Sequence, residues 1–376
     1  MKIVIAPDSF KDCMDALSVA EAVGLGIRKV WPDAGIVNIP MADGGEGTVE
    51  SVIDATGGKI IRVRVMDPLL REVPSFFGIT GDGSTAVIEM AAASGLELLE
   101  RDERDPWVTT TFGTGQLIRH ALDSGCSKIL LGIGGSATND GGMGMARALG
   151  VEFLDGKGDP AGHGGGAVGD VKEIVMDGLD PRIGHTEIRV ACDVTNPLTG
   201  PEGASHTYGP QKGAAPGVVE RLDTNLSRFA GLINNQLGKE VEQLPGGGAA
   251  GGLGAGLMAF LGAQLMKGFD MVSECVRLEE ALKEADLVIT GEGKLDGQTL
   301  FGKTPYGVAQ LARRHGLPVI GIAGTVEEGA EDLYEAGFDV IMPILEKPSE
   351  LTWAIEHAPI LLERSGERIA RLISLL

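Results

Sequence analysis

The stretch LVITGEGKLDGQTLFGKTPYGVAQLARRHGLPVIGIA, from Leu287 to Ala323, decides the fold. An apolar run over 287–290 predicts a strand. A loop rich in glycine and carboxylates follows, then a helical pattern over 308–315 and a second apolar strand over 319–323. Strand, loop, helix, strand is the repeating unit of a parallel α/β sheet. Working outward, 327–336 predicts a helix, 340–344 a strand and Ser349 onward a terminal helix. The amino-terminal end repeats the pattern. KIVIA (2–6) reads as a strand, and Ala20, Val23, Ile27 and Val30 fall at helical spacing. A short apolar run follows at 36–40, then Val49, Val52 and Ile53 on a helix closed by Gly57 and Gly58.

The middle of the chain differs. Residues 59–65 alternate apolar and basic side chains, and apolar runs at 76–79 and 86–90 flank Gly81-Asp82-Gly83. That is an antiparallel hairpin signal. A helix face over 117–122 precedes a strand at 129–133, and another strand over 188–192 ends at Asp193. Residues 155–170 read as loop, 218–237 as helix, and Gly246–Gly256 leads into an apolar helix over 257–265. The expected architecture is a discontinuous Rossmann-like, three-layer α/β domain with a parallel sheet, built from 1–62, 110–150 and 262–376. A smaller mixed α/β domain, 63–109 and 151–261, would be inserted into it, with the ligand cleft between the two.

The 376 residues suffice for two domains with real cores, and 43% hydrophobic content marks a globular chain. No segment has the roughly 18 uninterrupted apolar residues of a membrane span, and MKIVIAPDSF is too short for a signal peptide. Four cysteines without CxxC spacing point to a reduced, cytoplasmic protein and against a disulfide framework or zinc site. The net charge of −21 repels nucleic acid and anionic membrane. It also repels a small acid or a nucleotide, so an anionic ligand needs local Lys, Arg, helix N-termini or Mg²⁺. Glycine, 58 of 376, far exceeds the typical ~7%.

Four loops combine glycine with carboxylates after an apolar run: PDSFKD (7–12), ADGGEGT (42–48), GIGGSATNDGG (132–142) and GEGKLDGQTLFGKT (291–304). Glycine lets backbone N–H groups turn toward an anion, and a neighbouring carboxylate can hold Mg²⁺ or accept a proton. The combination points to phosphoryl transfer. Gly132–Ala137 also fits the dinucleotide fingerprint G-x-G-x-x-A, with Glu152 about twenty residues on. Against an NAD enzyme, Gly141, Gly142 and Gly144 would fall inside that motif's helix. GQTLFGKT (297–304) matches the P-loop expression, but Gly291–Asp296 separates it from its strand, so the match reads as coincidence. Asn139 is placed to cap a helix. The six histidines are scattered, without metal-ligand spacing or a nucleophile partner.

Long, ordered blocks of this chain resemble the type I glycerate kinase family: APDSFKD (6–12), PMADGGEGT (40–48), GTGQLI (113–118), GIGGSATNDGGMGM (132–145), CDVTNPLTGPEGAS (192–205), GPQKGA (209–214), GGGAAGGLGAG (246–256) and VITGEGKLDGQTLFGKTP (288–305). The resemblance implies a kinase that phosphorylates an organic acid, D-glycerate, with ATP and gives 2-phosphoglycerate. A 3-phosphoglycerate-forming kinase and an NAD-dependent hydroxy-acid oxidoreductase are the alternatives. It implies one Rossmann-like domain and one smaller mixed domain. The family usually has glycine after FK, where this chain has Asp12.

Phosphoryl transfer needs a phosphate cradle, Mg²⁺, a cation and a group to orient the hydroxyl. On that reading Gly134, Gly135, Ser136, Thr138, Asn139, Gly291, Glu292 and Lys303 are the expected nucleotide contacts. Asp43 and Asp296 are expected to hold Mg²⁺. Lys11 would neutralise the transferred phosphoryl group, and Asp193 would take the hydroxyl proton. Asp8 and Ser9 are expected at the substrate, with Lys212, Arg71 or Arg62 holding its carboxylate. Self-assembly into a homo-oligomer stays open.

Overall fold

The computed structural model describes residues 1–375. Its strands follow in chain order as β1 (Lys2–Ile5), β2 (Gly35–Asn38), β3 (Lys59–Met66), β4 (Glu72–Ile79), β5 (Thr85–Glu89), β6 (Lys128–Gly132), β7 (Glu152–Leu154), β8 (Glu173–Val175), β9 (Glu187–Ala191), β10 (Gln264–Met266), β11 (Leu287–Leu295), β12 (Val319–Val326) and β13 (Val340–Pro343).

One unit comprises Met1–Asp43, Glu50–Gly57 and the chain from Phe269 onward. Its sheet is wholly parallel, in the order β13-β12-β11-β1-β2. Ile3, Val4, Ile5, Val288, Ile289, Val319 and Ile322 have lost almost all contact with solvent, as strands covered on both faces must. The helices Ala16–Arg28 and Leu351–Ile373 pack on one face, bringing Val19, Val23, Ile27, Leu361, Leu362 and Ile369 against Ile3, Ile5 and Ile289. A Cβ at Gly26 would strike the Glu363 carbonyl, and one at Gly366 the Val23 carbonyl, so the two helices touch backbone to backbone. From β1 the sheet grows one way to β2 and the other way through β11, β12 and β13. The order therefore reverses between β1 and β11, and ligands bind outside the carboxyl ends of strands at such a reversal.

The second unit comprises Gly44–Val49 and Gly58–Gly268. Its sheet order is β10-β9-β6-β5-β4-β3. β5, β6, β9 and β10 run parallel, while β4 and β5 form the predicted antiparallel hairpin, which β3 extends. Its core centres on Phe153, Phe229 and Phe260, with ring centroids 5.5–6.1 Å apart.

Several expectations are corrected. Residues 110–150 lie in the second unit rather than with β1, because β6 pairs with β5 and β9. The inserted unit is also the larger one, and it takes in Gly44–Val49. Periodicity marks a strand but not its partner, and parallel partners are distant in sequence. β11 does not stop at 290; pairing with β12 carries it through two glycines to Leu295. A 3₁₀ turn, Ala330–Tyr334, replaces the helix expected over 327–336. The loop expected over 155–170 contains the short helix Gly164–Val168. The apolar helix starts earlier than expected, spanning Ala249–Leu261 across a kink at Ala250–Gly252.

Candidate active site

In the five-stranded unit the loop after β1 meets β11 at the reversal. The Asp8 N–H donates to the Gly291 carbonyl (2.8 Å). A Cβ at Gly291 would strike the Ile322 carbonyl of β12, so only glycine fits there. Burial pushes the Asp8 carboxyl up to about 7, with Asp43 and then Glu292 adding like-charge repulsion. Glu292 is itself raised by burial, and accepts from Thr299 Oγ1 (3.0 Å) and Lys303 Nζ (3.3 Å). Lys303 directly precedes the helix Thr304–Arg314, whose first residue lowers the Asp8 carboxyl by a side-chain hydrogen bond against the larger effect of burial.

Asp8, Asp43 and Glu292 thus share one negative field. Protein sites usually hold Mg²⁺ through one or two carboxylates, with waters and phosphate oxygens completing the shell. Asp43 with Asp8 fits that pattern. No cage of three or more His, Cys, Asp or Glu side chains exists among the described residues. Asp296, the other expected metal ligand, is engaged elsewhere. Its Oδ2 pairs with Lys294 (2.7 Å), which holds its carboxyl below the usual range, and its Oδ1 accepts from the Gln298 N–H (2.9 Å). It caps the 3₁₀ turn Gly297–Phe301, which is why GQTLFGKT does not form a P-loop. Lys11 is exposed, and Asp12 beside it has φ 59°, the left-handed region that favours glycine.

In the six-stranded unit, glycines bring two loops together at the ends of β6 and β9. A Cβ at Gly132 would strike the Gly44 carbonyl, and one at Gly44, where φ is +89°, would strike Ala191. Glu89, at the end of β5, accepts from the Val49 N–H (2.8 Å). Beyond β6 the chain is held on every side. Leu96 N–H donates to Gly135 O (2.9 Å), Ala137 N–H to Ser94 O (2.9 Å), and Thr109 Oγ1 to Ala137 O (2.8 Å). Asn139 is fully buried and donates to Ser205 Oγ (3.0 Å), while its Oδ1 and Thr138 Oγ1 are buried without partners. Gly251 presses on the Thr138 carbonyl so closely that no Cβ fits.

Asp140, which the sequence reading passed over, anchors this loop. Fully buried, it accepts from the Thr111 N–H (2.8 Å), Thr110 Oγ1 (3.1 Å), Thr111 Oγ1 (3.0 Å), and the N–H groups of Gly142 and Gly144 (both 3.1 Å). It thus fills the place at the helix Met143–Ala148 that Asn139 was expected to take. The only sequence signal was a buried-looking TTT (109–111) facing TND (138–140), which periodicity does not register.

Lys212 is 1% exposed and donates to Ser136 Oγ and the Thr138 carbonyl, both at 2.6 Å. Burial pulls its ammonium down to about 7, against the pull of Asp140. It braces the loop from inside. Arg71, another candidate for the substrate carboxylate, is paired with Asp67 and Glu103 at 2.6 Å each. Arg62 is exposed on the edge strand β3. Asp193 stands exposed past the end of β9, with Oδ1 held by the Gly268 N–H (3.1 Å). Ser9 donates its N–H to Asp8 (2.7 Å).

The dinucleotide reading fails on this geometry. No helix follows Gly132–Ala137 directly; the next one starts at Met143, after left-handed Gly141 and Gly142. Glu152 lies on β7, in the separate two-stranded sheet.

Glycine loops at strand ends, with carboxylates and lysines beside them, are the features of an α/β phosphotransferase of small molecules. The chain matches the family model described as "Glycerate kinase family" over residues 3–374, and it belongs to that family. It is 50% identical over 375 residues to the glycerate kinase of Bacillus subtilis (strain 168), covering 100% of this chain and 98% of that protein. It is 49% identical to the glycerate 2-kinase of Escherichia coli (strain K12), again covering 100% and 98%. A crystal structure from Salmonella typhimurium LT2, assigned as a glycerate kinase 2, superposes with TM-score 0.93 at 50% identity, covering 100% of this chain and 98% of that one. No helix among the described residues is long and apolar enough to cross a membrane, and all four cysteines are free.

Two outcomes follow from the loop and the reversal. Asp140→Ala strands several buried donors and should cost on the order of 3 kcal/mol in urea unfolding. Asp8 has a raised folded pKa, so its stabilising proton is fully bound below pH ~4 and lost as pH rises through about 7. Asp8→Asn should therefore melt higher than the parent at pH 8, by on the order of 2 kcal/mol after discounting for the carboxyl's partial exposure, and equally at pH 4.

Proposed function

We propose that this protein transfers the γ-phosphoryl group of ATP to the 2-hydroxyl of D-glycerate, giving 2-phospho-D-glycerate and ADP. Full-length membership of the glycerate kinase family carries the reading, and the E. coli relative named a glycerate 2-kinase supports the 2-position.

The roles assigned to individual residues belong to the same proposal. In the six-stranded unit, the Gly134, Gly135, Ser136, Thr138 and Asn139 segment offers backbone N–H groups to phosphate oxygens. Asp193 accepts the proton of the glycerate hydroxyl as that oxygen bonds to the γ-phosphorus. The bridging bond to the β-phosphate breaks, and its electron pair leaves with ADP. The Gly268 N–H holds one Asp193 oxygen. In the five-stranded unit, Lys11 balances the charge that grows on the transferred group, and Lys303, with Gly291 and Glu292, serves the nucleotide. Asp43 and Asp8 would hold Mg²⁺, which neutralises phosphate charge when bound. Ser9 stays beside Asp8 as a substrate contact.

³¹P NMR of the product formed from ATP and D-glycerate tests the reaction. The expected signal is the monoester at carbon 2; a carbon-3 ester would correct the position, and absence of transfer would overturn the assignment. Asp193→Asn should lower kcat by roughly 10²–10⁴-fold and remove the acidic limb of the pH–rate profile. An unchanged profile rules it out as the base.

A further inference from the structure

We propose that Arg104 is the residue that binds the substrate's carboxylate, beside the Gly134–Asn139 loop. The inference rests on the reading of the chain as a kinase of a small hydroxy acid, and adds the missing cation to it.

The side chain is under-used where it stands. Arg104 Nε is buried without a hydrogen-bond partner, and its Nη2 makes only a long contact with the Leu96 carbonyl (3.4 Å). No ion pair involving it is found among the described residues, although its sequence neighbours are Glu103 and Asp105. Glu103 is turned to Arg71 (2.6 Å), and Asp105 accepts from the Trp107 N–H (2.9 Å). Arg368 Nε is likewise buried without a partner, but its Nη2 donates to Ser365 Oγ (2.8 Å) and its Nη1 lies 4.0 Å from Glu346. Arg71 and Arg182 each hold two carboxylates, and Arg147 holds the Gly162 and Ala161 carbonyls (2.8 and 2.9 Å). A guanidinium taken partly out of water, with an N–H unpaired, costs free energy unless something supplies the acceptor.

Its position is fixed by three ties to the loop. The Leu96 carbonyl that it touches belongs to the residue whose N–H donates to Gly135 O (2.9 Å). Gly95 forms an isolated antiparallel bridge with Ser136. On the backbone side, the Arg104 carbonyl lies so close to Gly213 that no Cβ fits there, and the adjacent Lys212 donates to Ser136 Oγ (2.6 Å). The planar edge of a guanidinium matches a carboxylate bidentately, which a lysine does not. Of the cations considered for the substrate, Lys212 and Arg71 already have close polar partners, whereas no ion pair of Arg104 is found among the described residues.

The shared chemistry is an oxyanion, and phosphate oxygens of the nucleotide are the competing source. Arg104→Met and Arg104→Lys, first checked for parental melting temperature, separate the two by steady-state kinetics. Arg104→Met should raise KM for D-glycerate by about 30-fold or more and leave KM for ATP within about threefold, with Arg104→Lys recovering only part of the loss. Against glyceramide, in which the carboxylate is a neutral amide, the parent should discriminate strongly and Arg104→Met should not. A rise confined to KM for ATP, an unchanged KM for glycerate, or intact discrimination overturns the proposal. Calorimetry of D-glycerate alone keeps this apart from the wider reading. Binding lost in Arg104→Met supports the subsite even if no phosphoryl transfer is found, and equal binding sinks it.

Discussion

A single buried carboxylate holds the six-stranded unit's loop in shape. Asp140 is fully buried, and backbone N–H groups and two threonine hydroxyls converge on its carboxylate. Those donors come from the stretch before the helix Phe112–Asp123 and from the turn into the helix Met143–Ala148. The carboxylate thereby ties two elements that meet only in the folded state. Lys212 sits on the other side of the same segment, and its ammonium is eased by the Asp140 charge. The loop is therefore held by buried polar contacts from both sides.

Close backbone approach is the second constraint. The contacts of Gly132 with Gly44, Gly44 with Ala191, Gly251 with Thr138, and Gly291 with Ile322 leave no room for a Cβ. Much of the glycine excess is thus spent on bringing peptide groups together at strand ends, the same places where an anion meets backbone N–H groups. The two units use different electrostatics. One crowds Asp8, Asp43 and Glu292 until a carboxyl is pushed to about 7, which suits a site meant for a cation. The other keeps a lysine and an arginine by its glycine loop, which suits an anion.

The α/β character at both ends of the chain, the hairpin at Gly81–Gly83 and the four glycine loops were legible in the sequence because each rests on local pattern. Periodicity, turn residues and glycine content need no knowledge of distant partners. The positions of Asp193 and Asp8 just past an apolar strand were legible for the same reason. Arg104, Asp140 and the burial of Lys212 were not, because each depends on what lies across space. Lys212 in GPQKGA looks like a surface lysine until Ser136 and Thr138, far away in sequence, close over it. Asp296 looked like a free carboxylate until Lys294 turned back to it.

The sequence by itself determined the family, the strand and helix alternation and the chemistry of the strand-end loops, since all of these are carried by contiguous residues. Tertiary structure alone decided which strands pair, which unit residues 110–150 join, and which cations remain available to a ligand. Parallel pairing and buried ion placement are set by groups distant along the chain, and their free energy appears only once burial has removed the water between them.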